Sequence, residues 1–212
     1  MGLKQRALDG MHRLHFELIH GRRITGLAAC FAEVLPRDAT VLDVGSGDGY
    51  LATEIMKRRP DLTISGVDII PRREAFIPVD LFDGHRLPYD DGSYDVVMFS
   101  DVLHHTTNQR ELLTEAGRVA RRSVVVKDHL NERRVDEWCL RVMDWFGNRH
   151  NDVPLPYDYW PDDRWRSELD RAGIEVDHVD QRIRVYPQPL QAVFGRGLHV
   201  VISGRPRVTP AV

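Results

Sequence analysis

The stretch that most constrains this chain is Asp43-Val44-Gly45-Ser46-Gly47-Asp48-Gly49. It follows the apolar, β-branched run Ala39-Thr40-Val41-Leu42 and leads into a helical pattern from Tyr50 to Arg59. A strand that breaks into alternating glycines and then into helix must turn sharply, and glycines let the backbone approach a ligand with no Cβ in the way. A dinucleotide loop would read G-x-G-x-x-G; counted from Gly45, its last position is filled by Tyr50. A pyrophosphate on the following helix N-terminus would also meet the carboxylates of Asp43 and Asp48, which repel it. Those carboxylates favour the opposite ligand, one that carries positive charge.

The chain around this loop alternates strand and helix. Apolar periodicity gives strands at 39–44, 63–68, near 76–79, at 94–100 and at 123–127, with helices at 49–58 and 108–120. Near-continuous Val/Ile runs in alternation with helices imply a parallel sheet covered on both faces. Two amphipathic helices precede the first strand: Leu3, Ala7, Met11, Leu14 and Leu18 share one face, and Ile24, Leu27, Ala28, Phe31 and Leu35 share another before Pro36. After residue 128 a helical stretch at about 131–147 carries Trp138, Cys139, Trp145 and Phe146. Val153 to Pro161 is too rich in proline to be helix. Asp162 is positioned to cap a helix running to about Ala172, stopped by Gly173, and two further strands lie near 174–186 and 198–203.

The loop and four later segments together resemble the class I S-adenosylmethionine-dependent methyltransferases, of the small-molecule type. The similarity begins with D-V-G-S-G-D-G and continues through Gly66-Val67-Asp68-Ile69 and Asp83-Gly84-His85-Arg86-Leu87-Pro88-Tyr89. It then takes in Asp91-Gly92-Ser93-Tyr94-Asp95-Val96-Val97 and Ser100-Asp101-Val102-Leu103-His104-His105, covering roughly residues 39–127. The resemblance implies an α/β, doubly wound, Rossmann-like fold with a seven-stranded, mostly parallel sheet ending in a C-terminal antiparallel strand pair. It implies one domain over 1–212, with a helical cover (1–36), a cofactor-binding half (37–128), a substrate-side half (129–204) and a loose tail (205–212). The cofactor would be S-adenosylmethionine, whose ammonium and sulfonium suit the acidic loop.

On this reading Gly45, Ser46, Gly47 and Gly49 wrap the methionine and ribose parts, and Asp43 reaches the ammonium. Asp68, ending the second strand, accepts the ribose hydroxyls, and Ile69 packs on the adenine. Family spacing points to Asp83, beside Gly84, as the acid near the adenine amine; Asp80 is the competitor because it directly follows the third strand. Ser100 and Asp101 sit at the end of the fourth strand, in the crevice where open α/β sheets bind ligands. Ser100-Asp101-Val102-Leu103 is not the Asn/Asp-Pro-Pro-aromatic motif of enzymes that methylate exocyclic amines of nucleic acids.

Adjacent side chains point apart, so one of His104 and His105 faces the pocket while the other packs or caps. An imidazole near neutrality is a natural acceptor for the proton of a hydroxyl or amine. His105 is the candidate base; Asp128 and His129, at the end of the fifth strand, compete for the role, and Asp128 could instead cap a helix. The histidines could equally be pocket walls. No ligand spacing demands a metal, so none is expected. The aromatic residues Trp138, Trp145, Phe146, Tyr157, Tyr159 and Trp160 either roof an apolar substrate or form core.

A net charge of −3 with basic residues scattered in pairs argues against a nucleic-acid partner. Cys30 and Cys139 lie far apart within helical patterns, which suits small apolar packers in a reduced, cytoplasmic setting. The sequence has no membrane-spanning run and leaves the oligomeric state open. The expected substrate is a small molecule, a lipid or secondary metabolite. Two other roles fit the same residues: cyclisation or rearrangement with the cofactor unreacted, and a non-catalytic, cofactor-binding partner subunit.

Overall fold

The computed structural model describes residues 21–207 except 73, 149–155, 187, 189, 190, 192–194 and 196; the side chains of 146–148 are also outside the description. The expected first helix, 3–20, and the aromatic Phe146 therefore lie outside the described residues. Helix α1 (21–34) leads to β1 (Thr40–Val44), α2 (Tyr50–Arg58), β2 (Thr63–Asp68), β3 (Val79–Leu81) and β4 (Tyr94–Ser100). A short 3-10 turn (Leu103–His105), α3 (Gln109–Val119), β5 (Ala120–His129), α4 (Arg134–Asn148), α5 (Asp162–Arg171), β6 (Ile174–Asp180) and β7 (His199–Pro206) follow.

The seven strands form one sheet in the order β3-β2-β1-β4-β5-β7-β6. The first five are mutually parallel; β7 runs antiparallel to β5 on one side and to β6 on the other. This is the doubly wound, mostly parallel architecture with a terminal antiparallel pair that the motifs imply. Strand period two divides the core. Val97, Phe99, Val124 and Val126 pack with Leu112, Leu113 and Ala116 of α3 and Trp165 and Leu169 of α5. Val96, Met98 and Val125 face the other way, onto Leu27, Ala28 and Phe31 of α1 and Ala52 and Ile55 of α2. Burying an aliphatic or aromatic side chain of this size is worth about 1.5–3 kcal/mol, so both layers are needed to hold the sheet.

The order reverses direction between β1 and β4, which opens a crevice beyond their carboxyl ends. The two loops there touch: a Cβ on Gly45 would stand 2.6 Å from Val102 Cγ2.

Several boundaries differ from the sequence pattern. The third strand starts at Val79 rather than 76, since Pro78 has no amide hydrogen and contributes only its carbonyl, to Gly66 N. The sixth ends at Asp180, where the Asp180 carboxylate accepts Arg182 N at 2.7 Å and turns the chain; Ile183 and Val185 then pack beside α1 instead of extending the ladder. The seventh continues through Pro206, with Arg205 ion-paired to Asp177, so the strand takes the first two residues of the expected tail. Asp162 is the first helical residue of α5, and Pro161 is its cap, with no side-chain bond. Both cysteines are free thiols. Among the described residues no helix is long and apolar enough to cross a membrane.

Candidate active site

The glycine loop is built as the spacing suggested. Gly45, Gly47 and Gly49 all have positive φ. Gly45 N and Ser46 N donate to Val67 O, which stitches the loop to the end of β2. Gly49 lies against Ile77, but a Cβ on Gly47 would meet nothing within 4 Å, so the backbone there faces open space. Asp68 secures this arrangement: its Oδ2 accepts Gly47 N at 2.8 Å and its Oδ1 accepts Ile70 N at 2.9 Å. Ile69 stands 52% exposed, and a Cβ on Gly84 would come 3.3 Å from Ile69 Cγ2, so these two residues expected near the adenine are neighbours.

Asp43 is buried at the end of β1. Burial, and then the nearby Asp68 carboxylate, push its pKa up to about 8. A carboxyl in that position is stabilised as an anion only if a cation joins it. The open face at Gly47, the two acids and the Ile69–Gly84 wall fit a ligand with an ammonium, a ribose and an adenine.

The two acids proposed near the adenine have separate local roles. Asp83 is exposed and its Oδ1 accepts His85 N at 2.8 Å and Arg86 N at 2.9 Å, bonds that lower its pKa. Asp80 accepts the Tyr89 hydroxyl at 2.9 Å.

The other side of the crevice is a buried charge cluster. Asp101, in a left-handed conformation (φ 56°) directly after Ser100, is bonded by Lys127 on Oδ1 and by Arg23 at 2.5 Å on Oδ2. Burial alone would raise Asp101, but Lys127 and Arg23 outweigh it and hold it well below the usual carboxylate range. Both oxygens are thus engaged by the protein's own cations.

Asp128 is also fully engaged. Its Oδ2 accepts Leu103 N at 3.0 Å; its Oδ1 accepts His129 N at 2.6 Å and faces His104 Nδ1 at 2.5 Å. Burial opposes ionisation, yet His104 dominates and Asp128 is lowered. These contacts let it orient the His104 ring. His104, conversely, is raised to about 10, because Asp128 and Asp144 outweigh its burial. Its Nε2 lies 3.4 Å from Asp144 Oδ2, outside hydrogen-bond alignment. Burial and then the His104 cation push the half-buried His105 down to about 4. It is neutral at working pH and, alone, a poorly matched base. His129 is enclosed, with Nε2 3.6 Å from Asp144 Oδ1, and its pKa is lowered.

Five members of this cluster have no motif: Arg23 on α1, Lys127 on β5, Asp144 on α4, Tyr159, and His199 on β7. Tyr159 donates to Asp144 at 2.5 Å, and Lys127 Nζ lies 3.2 Å from His199 Nδ1. The sequence carries faint signals for two. Lys127 extends the buried Val124–Val126 run, and Asp144 falls four residues after the buried Leu140 on the same helical face. Arg23 and Lys127 both pair with Asp101, whereas Asp128 and Asp144 share only the His104 ring, so among the described residues the Asp144 end of the cluster has no lysine or arginine.

The aromatic segment divides. Tyr159, Trp160 and Trp165 are buried, whereas Trp138 and Trp145 are exposed on α4 and line an apolar groove of about 430 Å³ with Val142 and Tyr157. A larger groove of about 750 Å³, between His85, Arg110, Trp160 and Glu168, lies over the start of α3, away from the glycine loop. Its Arg110 and Glu168 neutralise each other at 2.6 Å.

Residues 16–179 match the model of a methyltransferase domain family. The chain is 25% identical over 189 residues to ajmaline N-methyltransferase of Rauvolfia serpentina, an alignment covering 71% of this chain and 64% of that one. It is 31% identical over 97 residues to demethylmenaquinone methyltransferase of Deinococcus radiodurans, covering 37% and 40%. A shorter match, 45% over 49 residues, is to ribosomal RNA small subunit methyltransferase G of Salinispora tropica, covering 23% and 20%. Among solved structures, a S-adenosylmethionine-dependent methyltransferase of Thermotoga maritima superposes with a TM-score of 0.63 at 19% identity, over 94% of this chain and 96% of that one. The chain thus spans less than two thirds of the length of these curated relatives. It belongs to the methyltransferase domain family, and S-adenosylmethionine is the cofactor that membership implies.

Proposed function

We propose that this domain transfers a methyl group from S-adenosylmethionine to a small apolar molecule, a lipid or secondary metabolite, in the crevice beyond β1 and β4. The observation that carries the reading is Asp43, a buried acid whose anion needs a cation, beside the open backbone of Gly47. Gly45, Ser46, Gly47 and Gly49 would cradle the cofactor, Asp43 would hold its ammonium and Asp68 its ribose. Ile69, Gly84 and Asp83 would bound the adenine, and Ser100 would lie along the crevice wall. Bound there, the cofactor supplies an electrophilic methyl on a sulfonium.

The protein's own part is to align the acceptor, exclude water and take up a proton. Alignment alone can be worth about 7–11 kcal/mol in favourable intramolecular cases. We assign the proton-handling corner to His104, His105 and Asp144, because His105 is its half-exposed member whereas Asp128 and His129 are enclosed. The alkaloid and quinone named for two relatives support an apolar acceptor. Scattered surface charge favours a small molecule over nucleic acid, and the free thiols suit a cytoplasmic setting.

The test is methyl-labelled S-adenosylmethionine offered with a panel of apolar hydroxyl- and amine-bearing compounds. Label appearing in an extractable product is the expected result. Turnover of an acceptor without label transfer would assign the domain to cyclisation or rearrangement, and tight cofactor binding with no turnover of any acceptor would assign a partner role. With an acceptor in hand, His105→Ala should lower turnover by about 10²-fold or more at unchanged cofactor affinity. Unchanged turnover would make His105 a wall.

A further inference from the structure

We infer that His104, His105 and Asp144 form a binding site for one divalent first-row transition metal ion, at the rim where β4 and β5 end. Ligand atoms of these three residues lie within 4.8 Å of one another, drawn from the 3-10 turn after β4 and from α4. His104 Nε2 is 3.4 Å from Asp144 Oδ2 yet has no hydrogen-bond partner, although the ring is only 2% exposed. That separation is what two ligands of one ion require: bonds of about 2.0–2.1 Å at a tetrahedral angle put ligand atoms about 3.3–3.5 Å apart.

The surroundings are those of a metal site rather than of an ordinary histidine pair. The other ring nitrogen of His104 faces Asp128 Oδ1 at 2.5 Å, the carboxylate–histidine arrangement that fixes the tautomer and aims the free nitrogen at an ion. Asp128 is itself fixed by Leu103 N and His129 N. Asp144 is held by the Tyr159 hydroxyl at 2.5 Å, and its second oxygen lies 3.6 Å from His129 Nε2. His104 and Asp144 therefore each have a partner that orients them.

A neighbouring group, Asp101, His129 and His199, is similarly close but already has its cation. The Lys127 ammonium contacts both Asp101 and His199 Nδ1, and Arg23 binds the other oxygen of Asp101. Among the described residues no lysine or arginine is ion-paired with Asp144. Two imidazoles and one carboxylate suit zinc, cobalt or iron(II) over magnesium or calcium, and leave positions for an exogenous oxygen or nitrogen ligand. Such an ion would polarise an acceptor hydroxyl or amine at the corner where the proton must leave. The binding itself does not depend on the methyl-transfer reading.

The experiment uses tag-free, chelator-treated full chain at about pH 8 and Co²⁺ as an optical probe, with S-adenosylhomocysteine binding measured in parallel. Wild type should take up a single Co²⁺ with visible d–d absorption that Zn²⁺ displaces. His105→Ala, at a half-buried position, and the near-isosteric Asp144→Asn should each weaken Co²⁺ by about tenfold or more. Far-UV circular dichroism and S-adenosylhomocysteine affinity should stay as in wild type, showing that the fold survives. Absence of Co²⁺ absorption in folded wild type up to millimolar metal would overturn the inference. So would Co²⁺ binding that persists unchanged in the His105→Ala/Asp144→Asn double variant. Failure of S-adenosylhomocysteine to bind, with Co²⁺ bound normally, would sink the methyl-transfer reading and leave the metal site standing.

Discussion

The two banks of the crevice handle buried charge in opposite ways. On the β1/β2 bank Asp43 is buried beside Asp68 and among the described residues has no ion-paired lysine or arginine; burial, and then the Asp68 carboxylate, raise it. On the β4/β5/β7 bank Asp101 is held by a lysine and an arginine and Asp128 by the His104 ring, and both carboxyls are lowered. The first bank is incomplete without a cationic ligand, whereas on the second the Asp101 charge is closed by Lys127 and Arg23, leaving only the Asp144 end for an ion. A buried charge whose partner is protein serves structure; one left for a ligand to neutralise marks where the ligand goes.

The largest expected effect breaks the closed charge at Asp101. Lys127→Met removes the ammonium that binds Asp101 and contacts His199, and losing one partner of a buried pair typically costs about 3–5 kcal/mol. Urea denaturation should show a loss of that order, and adding Asp101→Asn should recover a large part of it. S-adenosylhomocysteine affinity of the folded fraction should hardly move. A Lys127→Met protein as stable as wild type would mean that Lys127 does not close the Asp101 charge.

Gly47→Val attacks the other bank; a Cβ there would meet no protein atom within 4 Å. At φ 60° a β-branched residue is strained, and its methyls would fill the face offered to the cofactor. The strain should cost about 1–3 kcal/mol of stability, and calorimetry should show cofactor affinity falling because the methyls occupy the face offered to it. Asp68→Ala should cost about 1.5–3 kcal/mol for each charged hydrogen bond lost. Its effect should appear in both cofactor affinity and loop mobility, since Asp68 also holds Gly47 N and Ile70 N. If Asp68→Ala binds as wild type, its role is confined to the loop.

The same contrast explains what the sequence disclosed. The β1/β2 bank is contiguous: strand, three glycines and helix arise within about a dozen residues, so spacing alone determines the backbone path. Period-two alternation likewise revealed the sheet, because Val96 and Val97 must face opposite layers. The charge cluster is assembled from α1, β4, β5, α4 and β7. No local pattern connects Arg23 with Asp101, 78 positions away, or Lys127 with His199, 72 positions away. The histidine pair was visible, but Asp128 and Asp144 hold His104 charged while burial and that cation keep His105 neutral, and Asp144 reaches His104 only through the packing of α4.

The smallest effect is also the most specific test of the comparison. Asp43 has a folded-state pKa near 8, above its unfolded value of 3.8. Between those values the folded state binds more protons than the unfolded one, so this group's contribution to stability falls as pH rises from about 4 to 8. Asp43→Asn removes that slope. The variant should gain stability over wild type progressively from pH 5 to pH 8 in denaturant titrations without cofactor, while binding the cofactor more weakly. Cofactor binding supplies the missing cation and draws Asp43 toward its ionised form, so near pH 7 binding should release a proton. Calorimetry in buffers of different ionisation enthalpy reads that proton directly. It should vanish in Asp43→Asn and fade in wild type above about pH 9, where Asp43 is already ionised. Proton release that is unchanged in Asp43→Asn would place the titrating group elsewhere and remove the distinction between the two banks.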